Sequence, residues 1–381
     1  MRPVGTRQAA RQGRMSFAGL SMEDPWMAER EQPVHVPVLA KEVLDVFAGR
    51  GAQAGQSQGA GEPQAPEAVE GWIVDATVGA GGHTRRMLER MPGVSVLGFD
   101  QDPEILEVAA RELESFGNRV HLERVRMSGI PGVLRNLELP APIGWLADIG
   151  ASSLQLDRPE RGFSFLSDGP LDMRMDPTRE RTASDIINGW DESDLADLFY
   201  HEGGESRSRQ IARTICQDRR RAPFRRTGAL AQCVARAVGP RASAGRLHPA
   251  TRVFQALRRA VNEEGEELAA GLEAAEICLA DGGILCLISF HSGEDGQVKR
   301  YLKTGARDGR WELITKKPLR PSRDEEQRNV RSRSARLRAA MRTRGQGDSG
   351  AIEASGGKLG ERSACTLADD RPAGDGQGAA E

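Results

Sequence analysis

Short apolar runs alternate with amphipathic stretches along most of this chain, and several of the runs stop at an acid. Trp72-Ile-Val-Asp75 ends on a carboxylate and a Gly-rich turn, Val94-Ser-Val-Leu-Gly-Phe-Asp100 ends the same way, and Gly144-Trp-Leu-Ala-Asp148 ends on a third acid. Runs this short and this apolar suit strands covered on both faces. Thr84 to Arg90 and Pro103 to Phe116 read as helices between them, with Pro103 suited to a first turn. Val120 to Val125 reads as a further strand, and Ile284-Leu-Cys-Leu-Ile-Ser-Phe290 is the most apolar of all. A single long helix is expected over Val253 to Ala280, stopped by Gly282-Gly283, and a short docking helix over His35 to Leu44. Strands alternating with helices predict an α/β fold with a mostly parallel, doubly wound sheet.

The rhythm breaks between Asp148 and His248. No convincing strand appears there, and Asp191 to Tyr200, Arg207 to Arg219 and Thr227 to Val238 all carry helical spacing. We therefore expect a helical domain inserted after the fourth strand, at the carboxyl end of the sheet where ligands bind. The expected organisation is a disordered extension over 1–32, the first part of the α/β domain over 33–155, the helical insert over 156–247, the second part over 248–342 and a disordered tail over 343–381. Residues 49–70, rich in Gly, Gln, Ala, Pro and Glu, read as a flexible insertion within the first part.

Charge sharpens this division. The chain has a formal net charge of -2, yet Glu205 to Ala260 holds fourteen arginines and two acids. Arginine pairs bidentately with phosphate and stacks on bases, so the helical insert reads as an RNA-holding surface. Its densest cluster is Arg219, Arg220, Arg221, Arg225 and Arg226. A second candidate patch holds Arg331 and Arg333, whose alternation with Arg336 and Arg338 suggests a strand with one basic face. Five cysteines without a C-x-x-C pair fit a reduced, cytoplasmic chain better than a disulfide scaffold. The six histidines show no metal-ligand spacing, and no apolar run reaches the roughly 18 to 20 residues that span a bilayer.

The chemistry concentrates after the first strand. Asp75-Ala-Thr-Val-Gly79-Ala-Gly81-Gly82-His83 opens a helix, where glycines let a ligand approach the backbone and the helix start offers free N–H groups. Asp100 closes the next strand, and a carboxylate there can accept hydrogen bonds from both ribose hydroxyls of an adenosine. The spacing departs from the dinucleotide fingerprint, because Arg85-Arg86 stands where its third glycine would fall, and no phosphate-binding G-K-[ST] follows. A nucleoside carrying an amino acid, without pyrophosphate, fits better.

Several long motifs, in one order from about His35 to Arg338, resemble the bacterial 16S rRNA cytosine-N4 methyltransferases. They are His35–Leu44, Asp75–Thr84, Asp148-Ile-Gly-Ala-Ser-Ser-Leu-Gln-Leu-Asp157, Arg161–Pro177, His248-Pro-Ala-Thr-Arg-Val-Phe-Gln-Ala-Leu257 and Ile288-Ser-Phe-His-Ser292. The resemblance implies a Rossmann-like class I methyltransferase fold and N4-methylation of a cytidine in small-subunit rRNA, in the decoding-centre region. It implies S-adenosylmethionine as cofactor and 16S rRNA within the small ribosomal subunit as partner; the histidine spacing and the short apolar runs indicate neither metal nor membrane. By the same resemblance Gly81, Gly82, His83, Asp100, Met127, Asp148 and Gln155 contact the cofactor. Met127 stands where the family usually has Phe. Gly265, Gly293 and Gly296 stand where the family tends to have larger residues, which keeps a non-catalytic RNA-binding or ribosome-assembly protein as the alternative.

The exocyclic amine of cytosine is a weak nucleophile, because its lone pair is delocalised into the ring. A group that accepts a hydrogen bond from N4–H and aligns the amine would help. Asp148 is the first candidate for that catalytic role, and Asp295 and His291 on the loop after the fifth strand are the second. Phe163 or Phe165 would stack on a base drawn out of its helix, or belong to the core.

Overall fold

The computed structural model describes residues 37–49, 69–239 and 248–343. The expected disordered extension and tail, and nearly all of the 49–70 insertion, lie outside the described residues. In chain order the elements are α1 (Ala40–Phe47), β1 (Gly71–Asp75), α2 (Gly82–Arg90), β2 (Val94–Asp100), α3 (Pro103–Leu113), β3 (Val120–Arg124), α4 (Ile130–Leu137), β4 (Gly144–Asp148) and α5 (Ser153–Asp157). The helical segment follows as α6 (Ala183–Gly189), α7 (Glu192–His201), α8 (Ser208–Arg219), α9 (Thr227–Val238) and α10 (Ala250–Asn262). The chain closes with α11 (Glu264–Cys278), β5 (Ile284–Ser289), α12 (Ser292–Arg307), β6 (Trp311–Leu313), α13 (Arg323–Arg328) and β7 (Arg336–Arg342).

The seven strands form one sheet in the order β3-β2-β1-β4-β5-β7-β6. The first five run parallel, and β7 pairs antiparallel with both β5 and β6. This is the Rossmann-like class I methyltransferase arrangement. Strand residues alternate between the two faces with period two. Ile73, Leu146, Cys286 and Ile288 pack with α1, α2 and α3 on one side. Val74, Trp145, Ala147, Leu285 and Leu287 pack with α4, α11 and α12 on the other. The chain order reverses between β1 and β4, so a crevice opens there at the carboxyl ends of the strands.

The helical segment has a core of its own, running from Phe163 through Val261. It therefore takes in α10, beyond the limit at residue 247 expected from the pattern. The long helix expected over Val253–Ala280 is broken in two. Glu263, with φ of 53°, sits in the left-handed region between α10 and α11. Distant residues hold the break. Asn262 donates to the Met173 carbonyl and accepts from the Met175 N–H, each at 2.8 Å, and Glu263 pairs with Arg126 and Arg179. A left-handed non-glycine residue costs on the order of 1 kcal/mol, which these contacts offset.

The loop leading into the segment folds tightly on itself. A Cβ added to Gly169 would lie 1.8 Å from the Pro159 carbonyl oxygen, and one on Gly162 would lie 2.1 Å from that of Pro170. At Gly169 the need is for space, since the obstacle is rigid backbone. Gly169→Ala is expected to destabilise the protein by roughly 1–3 kcal/mol, the usual cost of overpacking. Urea unfolding checks this, and an unchanged midpoint would show that the loop relaxes freely. Among the described residues no helix is long and apolar enough to cross a membrane.

Candidate functional site

A cavity of about 350 Å³ occupies the crevice. Its walls come from the carboxyl ends of five strands: Thr77–Gly79 after β1, Asp100 at the end of β2, Val125–Met127 after β3, Asp148–Leu156 after β4, and Phe290 after β5. Arg258 of α10, Glu267 of α11 and Arg331 close it from the insert side and from the segment before β7.

The glycine turn is built as its composition required. Gly79 and Gly81 have φ of 54° and 85°, and a Cβ on Gly81 would press on Leu113 at 3.0 Å. Gly81 caps α2, so the unpaired N–H groups at the start of that helix include those of Gly82 and His83, both of which line the cavity. Below the turn, buried Asp75 accepts a hydrogen bond from the Thr84 hydroxyl at 2.7 Å. Burial pushes its carboxyl upward, against the pull of that bond. The Thr77 hydroxyl in turn accepts from the Asp148 backbone N–H at 2.7 Å and ties the ends of β1 and β4 together.

Asp100 accepts from the N–H of Gly79 at 3.2 Å and from that of Asp102 at 3.0 Å, one on each oxygen. Burial raises its carboxyl to about 7 despite these donors. Each oxygen keeps a lone pair for a further donor. Gln155 lines the cavity with its amide largely engaged. Its Oε1 accepts from Ser152 N, and Nε2 donates to fully buried Asp102 at 2.8 Å. One amide hydrogen is left for a ligand. Arg161 also reaches Asp102 at 2.8 Å and holds the carbonyls of Arg174 and Met175, which braces the loop over the cavity. Met127 leans over the other end. Its sulfur would lie 2.9 Å from a Cβ on Gly271, so the missing side chain at Gly271 makes room for it.

His83 and Asp148 are the unsatisfied pair of the site. His83 is 8% exposed, its Nε2 lies 3.7 Å from Asp148 Oδ2, and neither ring nitrogen has a hydrogen-bond partner among the described residues. Asp148 Oδ1 is equally buried and unpartnered. Leaving a buried polar atom unpaired costs about 1–3 kcal/mol, so three such atoms on one cavity wall call for a polar ligand. With a glycine cradle, an open carboxylate at Asp100 and the apolar Met127, the residues fit a nucleoside that bears a polar tail.

The second candidates for catalysis lie elsewhere. His291 caps α12 through Nδ1, and its Nε2 lies 2.7 Å from buried Glu294 and 2.6 Å from Arg259. Asp295 is held by Arg338 at 2.7 Å and by Arg336 at 3.5 Å. Neither lines the cavity. Both are consumed by structure, because the loop after β5 turns at once into α12 and directs them away.

The basic surface is smaller than the sequence count. Arg213, Arg226, Arg236, Arg252, Arg258 and Arg259 pair with Glu192, Asp168, Asp218, Glu205, Glu264 and Glu202. Four of those acids lie outside the segment that was counted. Arg219 spends its guanidinium on the Ile187 carbonyl. Arg220, Arg221 and Arg225 are exposed, with no carboxylate partner among the described residues. The strand expected through Arg331 and Arg333 begins only at Arg336, because Asn329 caps a 3₁₀ turn over Val330–Ser334. Arg331 pairs with Asp157 at the cavity mouth, and Arg333 is exposed. Phe163 is core, and Phe165 packs on His248 and Phe254 with ring centres 4.8 and 4.9 Å away. Sequence reasoning missed Thr77, Gly271 and Phe290 as site residues, and it treated Arg258 as one more charge of the basic segment.

The profile of the MraW methylase family matches residues 32–343. A protein of Synechococcus elongatus named ribosomal RNA small subunit methyltransferase H is 47% identical over 272 residues, covering 71% of this chain and 88% of its own. One of the same name from Sorangium cellulosum is 46% identical, covering 82% of this chain and 91% of its own.

Proposed function

The chain belongs to the MraW methylase family, and on that premise we propose that it methylates small-subunit (16S) ribosomal RNA from S-adenosylmethionine, at the exocyclic N4 of a cytidine. The observation that carries this reading is the His83–Asp148 wall, where three buried polar atoms lack partners beside a nucleoside-sized cavity. S-adenosylmethionine supplies an electrophilic methyl group on a positively charged sulfur. Asp100 would hold its ribose hydroxyls, the Gly81–His83 backbone its amino-acid end, and Met127 and Gln155 would flank the rest.

The remaining chemistry belongs to the chain. Asp148 accepts a hydrogen bond from N4–H, which raises electron density on the amine and fixes its direction. The same carboxylate is the nearest base for the proton that N4 sheds, and His83 steadies the resulting charge distribution from 3.7 Å. Burial of Oδ1 strengthens both effects. A non-catalytic assembly protein is not favoured, because an intact but unsatisfied polar wall is costly to keep without a ligand.

Purified protein incubated with small-subunit rRNA or particles and a methyl-labelled donor tests the reading. Labelled rRNA is expected. Label that never leaves the donor, on naked rRNA and on particles alike, would overturn it.

We assign RNA holding to Arg220, Arg221 and Arg225, with Arg333 at a second point. Changing the first three to Gln should weaken RNA binding and flatten its salt dependence by about 2 to 3 in log–log slope, since each phosphate contact contributes roughly 0.7–0.9. Cofactor affinity should stay as it was. An unchanged slope would move RNA holding elsewhere.

A further inference from the structure

Arg258 is locked along one edge and open along the other. Its Nε and Nη2 donate to the two oxygens of Glu264 at 2.7 and 2.8 Å. The bidentate pair fixes the guanidinium plane, and Glu294 adds a second negative charge 4.0 Å from Nη2. Nη1 has no hydrogen-bond partner among the described residues, and the side chain lines the cavity. A Cβ built on Gly150 would stand 4.0 Å from this Nη1 and 3.9 Å from the Phe290 ring. Guanidinium edge and aromatic ring thus flank Gly150, two residues beyond Asp148. The β4–β5 pairing brings these parts together, with Asp148 opposite Ile288, two residues before Phe290.

We infer that Arg258 reads the target base, with Phe290 as its stacking surface; this rests on the cytidine reading above. A pyrimidine in that half of the cavity meets a donor at Arg258 and an acceptor at Asp148. Cytosine presents the complement, with acceptors at O2 and N3 and a donor at N4. Uracil fails twice: its N3 carries a hydrogen toward Arg258, and its O4 confronts the Asp148 carboxylate. Because Glu264 holds the guanidinium before any base arrives, little side-chain freedom is lost on binding. Arg258 is therefore a specificity-determining residue, and the open edge at Nη1 is the part that selects.

Arg258→Lys tests this, since lysine keeps the charge for Glu264 but loses the forked donor edge. Arg258→Met combined with Glu264→Gln guards against a folding defect by removing both charges of the pair. The probes are fluorescein-labelled decamers of cytidine and of uridine, titrated by anisotropy in the presence of S-adenosylhomocysteine, whose own affinity is measured by calorimetry. The wild-type protein should favour the cytidine decamer by roughly tenfold, the worth of a good base contact. Both variants should lose most of that preference, keep S-adenosylhomocysteine affinity, and raise KM for rRNA more than they lower kcat. A preference that survives in Arg258→Lys overturns the inference, as does a wild-type protein without preference. Weakened S-adenosylhomocysteine binding with preference intact also overturns it, and assigns Arg258 to the amino-acid end of the cofactor. Each of these outcomes is compatible with rRNA methylation by the wild-type protein, whereas absence of methylation defeats the activity itself.

Discussion

Asp148→Asn is expected to lower kcat for rRNA methylation by about two to four orders of magnitude, the range set by losing a positioned acid–base group. The substitution is nearly isosteric. It preserves the backbone N–H that donates to Thr77 at 2.7 Å and so keeps β1 and β4 joined. What it removes is the negative charge proposed to face the reacting amine, and it can place an NH₂ donor against the donor at N4. Asp148 Oδ1 is buried and unpartnered, so no neighbouring group stands ready to replace it. RNA affinity should change little, because the arginines proposed to hold RNA lie elsewhere in the chain. Single-turnover rates with both substrates saturating check this. A rate within threefold of wild type would remove Asp148 from the chemistry.

The second large effect concerns Asp100 and has a pH signature. Asp100→Ala should weaken S-adenosylmethionine binding by roughly 2 kcal/mol or more, since hydrogen bonds to a charged acceptor are worth about 1.5–3. Burial raises the Asp100 carboxyl to about 7, and hydroxyl donors such as those of the proposed ribose bind best to an ionised carboxylate. Going from pH 6 to pH 8 takes this group from about one tenth to about nine tenths ionised, so affinity should rise about tenfold, with proton release at neutral pH. The sign for folding is the reverse. A raised carboxyl contributes stability that is complete below its unfolded value near 4 and is lost as pH rises through about 7. Ligand-free protein should therefore gain stability on acidification across that window as far as this group is concerned. Asp100→Asn should flatten the pH dependence of affinity. Calorimetry in buffers of differing ionisation enthalpy reads both quantities, and a flat profile in the wild-type protein would contradict the role given to this carboxylate.

The parts of the site visible in the sequence are those that follow from local rules. A strand that ends on an acid and a helix that opens after glycine leave short-range marks, so β2 and β4 run over the very residues whose apolar pattern ends at Asp100 and Asp148. The glycine turn was equally legible, because glycines spaced this closely between a strand and a helix mark a sharp turn, and Gly79 and Gly81 have φ of 54° and 85°. What stayed hidden depends on residues far apart in the chain. The break at Glu263 is held by Met173, Met175, Arg126 and Arg179, none of which a helical periodicity can reveal. The charge of the helical segment was overstated because Asp168, Glu192, Glu202 and Glu264 neutralise it from outside. His291 and Asp295 had the right chemistry, but a helix cap and an arginine pair decided where they point. Gly271 carries no signal at all, since its purpose is to leave space for Met127.

Nucleoside mass spectrometry of the product decides whether the methyl group reaches cytosine N4 in small-subunit rRNA. The 16S rRNA methylated by the purified protein with a deuterated-methyl donor is digested to nucleosides and to mapped fragments. A deuterated N4-methylcytidine is expected at one site, absent when Asp148→Asn replaces the wild-type protein. Deuterium on a ribose, on a carbon of the base or on another nucleobase would contradict it.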